Sequence, residues 1–250
     1  MEYKNISPGI NGTRSEYPKK NIPLKNYYNL KKLIFPPLIN GDINQIKIDD
    51  ESIKYITFHN SAQEITNIIM NNLDDFPCPR SSLLSKWKSL SMVEKIRELV
   101  ITDMTGGVGG NILNFANYFK YVNAVEIDPT RCQYLQYNVE LYSFLNVNYY
   151  CNDSTKLLVE EDNLRQDIVF FDPPWGGKDY KNFSKLKLQF GPNGDSIEKI
   201  CRLLFTKERN QMIVLKLPNN YDFEYLREEL SSHRTISFNL DRMTIVIVKK

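Results

Sequence analysis

The sequence predicts an α/β fold: a seven-stranded, mostly parallel sheet with helices on both faces, a C-terminal antiparallel hairpin, and a small, mostly helical N-terminal extension. Three observations predict it. From residue 98 onward, short apolar runs alternate with amphipathic stretches of helical spacing, the pattern of a parallel sheet with crossover helices. The first run passes into a helix through a cluster of glycines. The last two runs, Thr235–Asn239 and Thr244–Val248, have only the turn at Leu240–Met243 between them, so they must pair as a hairpin and make one strand antiparallel.

The elements follow in order. Residues 1–22 mix Pro, Gly, Asn and charge without periodicity and read as a flexible basic tail. Residues 23–95 form the extension. A helix from Ser61 carries Ile65, Ile68, Ile69 and Leu73 on one face and stops at Asp74–Pro79. Leu83, Leu84 and Trp87 mark a second helix, and Ser91 to Arg97 a third. Residues 96–250 form the α/β domain. Its strands are Leu99–Met104, Val122–Ile127, Val147–Tyr150, Ile168–Phe171 and Met212–Leu217, followed by the two of the hairpin. Its helices are Asn111–Phe119, Pro129–Leu145 with proline in the first turn, Ser196–Phe205 and Phe223–Leu230.

Composition excludes several classes. A net charge of +2 is not that of a nucleic-acid coat protein, although residues 1–32 hold seven Lys or Arg against Glu2 and Glu16. Such an arm is ordinarily a solvated tail; its functional reading is a loose clamp on phosphate. The four cysteines, Cys78, Cys132, Cys151 and Cys201, lack metal-ligand or redox spacing, and there are two histidines. The expectation is reduced, buried thiols and no metal. No signal peptide opens the chain and no apolar run is long enough to span a bilayer. An intracellular protein, in cytoplasm or nucleus (host cytoplasm if viral), is therefore expected.

The candidate ligand residues fall at the ends of successive strands, where open α/β sheets bind ligands. After the first strand comes Asp103-Met104-Thr105-Gly106-Gly107-Val108-Gly109-Gly110-Asn111. Glycines there let backbone approach a ligand closely. A nicotinamide site needs G-x-G-x-x-G, and counting from Gly107 the third glycine is missing. The leading Asp103 and the crowded glycines suit a ligand without phosphate, held at an amino-acid end. After the second strand, Glu126 is placed to accept from both ribose hydroxyls, with Ile127 beside it, while Asp128 is placed to cap the next helix. After the third strand, Asp153 can accept from an adenine N6 amine and the N–H of Ser154 can donate to the ring. Alone, Asn152-Asp153-Ser154 would be only a turn signal.

The fourth strand runs into Asp172-Pro173-Pro174-Trp175-Gly176-Gly177, the most specific motif in the chain. Two prolines remove two N–H donors and fix φ, so the Pro173 carbonyl can accept a hydrogen bond beside Asp172. Two acceptors converging on one –NH2 can aim its lone pair at a methyl donor. Such an amine is a weak nucleophile, so proximity and orientation are the main levers. Trp175 supplies a flat surface for a base.

With Phe115-Ala116, Ile127-Asp128-Pro129 and the continuation Lys178-Asp179-Tyr180, these motifs resemble the trimethylguanosine synthase family of class I, Rossmann-like methyltransferases. Leu33-Ile34-Phe35 and 46–51 resemble its N-terminal extension, so the resemblance covers about residues 27–250. It implies S-adenosyl-L-methionine as cofactor, a 7-methylguanosine-capped RNA as substrate and partner, and methylation of guanine N2. It also implies Trp175 as the cap-stacking residue, Glu126 and Asp153 as the ribose and adenine acids, and Phe35 as an aromatic lining the pocket. A second aromatic falls near Tyr55 to Phe58.

Two departures stand out. The family often has Ser or Asn where Asp172 stands, a charge that would favour a cationic base. It also has an Arg on the cap phosphates after Leu-Pro, where this chain reads Leu217-Pro218-Asn219-Asn220. Asn219, Lys178 and Lys216, with Lys181, Lys185 and Lys187, are the substitutes. Asp-Pro-Pro-Trp is shared with adenine-N6 enzymes, so guanine-N2 or adenine-N6 methylation within an RNA or DNA strand is the second reading. A non-catalytic cap-binding module is the third.

Overall fold

The structure, a computed structural model, describes residues 2–4, 24–79, 82–160, 164–177, 179–207 and 210–250. Most of the basic tail, and Lys178, lie outside the described residues. The elements are β1 (Glu2–Lys4), α1 (Leu24–Ile34), α2 (His59–Met70), α3 (Leu84–Ser89), α4 (Met92–Ile96), β2 (Val100–Asp103), α5 (Ile112–Phe115), β3 (Tyr121–Val125) and α6 (Pro129–Leu141). There follow β4 (Val147–Tyr150), α7 (Ser154–Glu160), β5 (Ile168–Phe171), β6 (Gln189–Phe190), β7 (Asp195–Ser196), α8 (Ile197–Thr206), β8 (Met212–Pro218), α9 (Phe223–Glu229), β9 (Arg234–Leu240) and β10 (Met243–Lys249).

The main sheet runs β1-β9-β10-β8-β5-β2-β3-β4. β4, β3, β2, β5 and β8 are mutually parallel, and β10 inserts antiparallel between β8 and β9. These seven strands are the predicted sheet with its C-terminal hairpin. Glu2–Lys4 adds an eighth strand, parallel to β9, at a place where the sequence predicts only tail. The chain leaves β2 in one direction for β3 and β4, then returns to β5 on the other side. This reversal opens a crevice above the C-terminal ends of β2 and β5.

Strand alternation divides the core in two. Ile101, Phe170, Val214, Ile245 and Ile247 face one cluster, while Val169, Phe171, Ile213, Leu215, Val246 and Val248 face the other. β5 and β8 are buried on both faces, which is why their sequences are near-continuous apolar runs. The extension has no core of its own: Ile34, Phe35, Ile65, Ile69 and Leu73 belong to the first cluster together with Ile101, Phe115 and Phe170. α4 begins with a capping box between Ser91 and Glu94.

Asn138 of α6 fastens the extension. Its Nδ2 donates to the Lys47 carbonyl at 2.8 Å and the Val108 carbonyl at 2.9 Å, and its Oδ1 accepts from Lys47 N at 2.7 Å. The side chain is fully buried. Asn138→Ala is therefore expected to lower stability by about 3 kcal/mol, since it strands three backbone groups. Urea unfolding measures this, and a change below about 1 kcal/mol would exclude a fastening role.

The thiol expectation is corrected. Cys132, in the first turns of α6, is bonded to Cys151 just beyond β4, with Cα atoms 5.7 Å apart. Because β3 and β4 are parallel neighbours, the start of the helix leaving β3 lies close to the end of β4, so residues 19 apart in sequence meet. Cys78 and Cys201 are free thiols.

Candidate active site

Asp103 ends β2 and is fully buried. Its Oδ1 accepts from Thr105 N at 2.9 Å and Thr105 Oγ1 at 3.3 Å, while Oδ2 has no partner. Burial, with Asp172 and Glu126 nearby, pushes its carboxyl up to about 7. The Thr105 hydroxyl also accepts from Asp172 N at 3.0 Å, so one threonine joins the ends of β2 and β5. Gly106 N donates to the Val125 carbonyl at 2.7 Å. Gly107 adopts φ +54°, aiming its N–H at Glu126 Oε2, 2.7 Å away. Gly109 also has a positive φ.

Glu126 is buried, and its Oε1 accepts from Asp128 N at 2.9 Å. Each oxygen thus keeps a lone pair for a further donor. Asp128 caps α6 through Arg131 N. Ile127 is 66% exposed, an apolar side chain turned outward beside that carboxylate. Asp153 Oδ1 accepts from Thr155 N and Oγ1 at the start of α7. The Ser154 hydroxyl donates to the Met104 carbonyl, so its backbone N–H is what it can offer a ligand.

Beside this lies a polar cluster. Asp172 Oδ2 accepts from Lys216 Nζ at 2.5 Å and Thr57 Oγ1 at 3.2 Å. Lys216 Nζ also donates to Thr57 Oγ1 at 2.9 Å, and so does Asn111 Nδ2 at 3.2 Å. Asn111 Oδ1 is buried without a partner. Pro173 is buried and Pro174 exposed. Trp175 is half-buried, with the Tyr180 ring edge-on at 5.3 Å, the Lys216 ammonium 5.4 Å from its centroid, and its own Nε1 unpartnered. Asn220 holds the following loop by donating to the carbonyls of Tyr180 and Phe183.

Four expectations change. Phe35 is fully buried in the shared core and shows no surface to a ligand; Tyr55, 48% exposed beneath the Arg131 guanidinium, is the aromatic of the extension nearer Glu126. Lys216 is 4% exposed and paired with Asp172, so it is withdrawn from any phosphate. That pairing also balances the charge Asp172 was expected to offer a cationic base. Asn219 spends its amide on the Asp241 carbonyl and the Thr244 hydroxyl, pinning β8 to the hairpin. In the loop, Lys185 pairs with Glu224, and Lys187 lies over the Tyr225 ring at 3.5 Å.

Thr57 and Tyr180 received no role from sequence. Thr57 arrives through close packing: a Cβ on Gly110 would stand 2.7 Å from Ile56 Cγ1 and 2.9 Å from the Thr57 carbonyl. Gly110→Ala should push 56–57 off the glycine turn and remove Thr57 from Asp172, at about 1–3 kcal/mol of stability. A thermal melt reads this, and an unchanged midpoint would mean the segment yields freely.

The site is suited to a nucleoside with an amino-acid tail. The unpartnered Asp103 Oδ2 and Asn111 Oδ1 call for donors, and nothing stands within 4 Å of a Cβ placed on Gly107. Among the described residues no group of acids, histidines or cysteines is arranged for a metal, and no helix is long and apolar enough to cross a membrane.

Comparison with known proteins gives a family match. The family described as RNA cap guanine-N2 methyltransferase matches residues 98–250. Uncharacterized protein L320 of Acanthamoeba polyphaga mimivirus is 51% identical over 98% of this chain and 95% of its own length. Trimethylguanosine synthase of Schizosaccharomyces pombe is 33% identical over 36% of this chain and 39% of that protein; the Saccharomyces cerevisiae enzyme is 29% identical over 50% and 40%. These matches span about two fifths of each yeast protein. Two solved structures share the fold at low identity. The T. thermophilus 16S rRNA N2 methyltransferase RsmC, in complex with AdoMet and guanosine, has a TM-score of 0.51 and 15% identity over 82% of this chain and 44% of that one. The human methyltransferase 10 domain containing protein has a TM-score of 0.52 and 16% identity over 82% and 88%.

Proposed function

Because the chain belongs to the RNA cap guanine-N2 methyltransferase family, we propose that it methylates the exocyclic N2 of 7-methylguanosine caps, using S-adenosyl-L-methionine. The observation that carries this reading is the placement of Asp172, Pro173 and Trp175 at the switch point, beside a glycine turn with two unpartnered buried acceptors. The cofactor supplies a methyl group on a sulfonium, activated for in-line displacement. Asp103 takes the amino end of that molecule, Glu126 its ribose hydroxyls, and Asp153 with the Ser154 N–H its adenine, against Ile127. Asp172 and the Pro173 carbonyl hold the guanine amine between two acceptors. Trp175 stacks under the base, and a base made cationic at N7 stacks more strongly than a neutral one.

The decisive experiment incubates the protein and labelled cofactor with m7GTP, GTP and adenine-containing oligonucleotides, then identifies products by mass. N2-methylated m7GTP is expected. Unmethylated GTP or GpppN should react about 5- to 30-fold more slowly, from a lost cation–π contribution of about 1–2 kcal/mol. Equal rates on both would remove cationic stacking from the scheme. N6-methyladenine as the main product would assign the chain to strand methylation instead, and cofactor binding without transfer would leave a cap-binding module.

A further inference from the structure

β8 is buried along all seven residues, and Lys216 sits within it at 4% exposure. An ammonium is expensive there unless it is paired and hydrogen-bonded. Its partners come from two separate parts of the chain: Asp172 and the Trp175 ring of the motif after β5, and Thr57 of the extension. Lys216 and Thr57 both engage Oδ2 of Asp172. A carboxylate gripped twice on one oxygen is restrained in rotation and has Oδ1 to offer another donor.

We propose that Lys216 is a positioning residue for methyl transfer: with Thr57 it clamps Asp172 through Oδ2 and so directs Oδ1 at the amine as an acceptor. The proposal rests on the methyltransferase reading above. It gives the motif an ion pair of no net charge where a neutral side chain would otherwise serve. It also makes the extension part of the clamp, because Thr57 lies in the segment that packs on the glycine turn. Burial is the larger influence and leaves the Asp172 carboxyl above the usual carboxylate range, while Lys216 and Thr57 draw it part of the way down. Without Lys216, burial acts with less opposition, the carboxyl keeps its proton to higher pH, and Oδ1 meets the amine's N–H donors with a competing O–H.

The test compares wild type with Lys216→Met, Lys216→Arg, Asp172→Asn and the double variant Asp172→Asn/Lys216→Met. Turnover is followed from about pH 6 to about pH 9 on whichever amine the wild type methylates. Indole fluorescence is titrated over the same range without cofactor or substrate. Lys216→Met should lose about 100-fold in kcat at neutral pH and recover as pH rises, with cofactor affinity within about threefold of wild type. Asp103, whose carboxyl sits at about 7 beside Asp172, titrates in wild type and variants alike, so each profile is read as a ratio to wild type; the fluorescence of Lys216→Met should show a further transition that the wild type lacks. Lys216→Arg should keep the wild-type profile. The double variant should be more active than Asp172→Asn alone, because the stranded ammonium has gone with its partner, and the ratio of its rate to that of wild type should be level across the range.

An equal loss at every pH for Lys216→Met, or a double variant no better than Asp172→Asn, would overturn the proposal and leave Lys216 a packing residue. If Lys216→Met does not fold, the double variant and Lys216→Arg still decide. The product of the wild type tests the cap reading separately, and the fluorescence titration needs no substrate.

Discussion

Trp175→Ala is expected to weaken binding of 7-methylguanosine caps by about 100-fold while leaving cofactor affinity within about twofold. Stacking a base on an aromatic ring contributes about 1–3 kcal/mol, and the positive charge of a 7-methylated purine adds to it. The indole is already braced, with Tyr180 against its edge and Pro174 exposed beside it. Its removal therefore takes away the plate and also loosens Tyr180. The residues proposed to hold the cofactor lie on other strand ends and keep their bonds to Gly107, Asp128 and Thr105. Calorimetric titration with m7GTP and, separately, with the cofactor measures both. Trp175→Phe retains a flat ring and should stay within about tenfold of wild type. An equal fall in both affinities for Trp175→Ala would mean that the indole supports the whole cleft.

The second large effect comes from Asp103→Asn, and its two consequences have opposite signs. Asp103 has a carboxyl raised to about 7 by burial, whereas an unfolded chain ionises it near ~3.9. Between those values the folded protein holds a proton that the unfolded chain has released. Stability therefore falls as pH rises from about 4 to about 7, by up to about 4 kcal/mol, and is level above that. Asp103→Asn cannot ionise, so it should melt higher than wild type at about pH 8 and show little of that slope. The same substitution removes the negative charge that would meet the cofactor's ammonium, so cofactor affinity at about pH 8 should drop by about 100-fold. Wild-type affinity should itself climb as pH passes through 7. Denaturant midpoints against pH, paired with cofactor titrations, give both readings. A wild type whose affinity is level across that range would detach Asp103 from the cofactor.

Most of the scaffold is visible in the sequence because each strand of the switch-point region ends in a residue whose chemistry is local. The glycine turn, Glu126 and the Asp172 motif declare themselves by position after an apolar run. What fails to show is of four physical kinds. Phe35 follows an amphipathic helix, and nothing in its spacing says whether an aromatic there fills core or lines a cleft; packing of the extension on the sheet decides that. Lys216 carries a signal that is easy to pass over. A lysine inside Met-Ile-Val-Leu-Lys-Leu-Pro cannot reach solvent from a central strand, so it demands a buried acid, and Asp172 is the acid at the adjacent strand end. Cys132 and Cys151 are related by topology and not by motif. Asn219 looks like a ligand residue by its place after β8, but two hydrogen bonds to the hairpin occupy it.

The absence of a separate core beneath the extension has a consequence for how the enzyme comes into being. Residues that roof the crevice condense with the strands that floor it, in one cooperative step. A clipped chain starting at about residue 98 would inherit every glycine and acid of the motifs, yet it would leave Ile101, Phe115 and Phe170 facing water. Such a fragment should precipitate or remain molten instead of turning over slowly, and near-ultraviolet dichroism of the purified piece would tell the two apart.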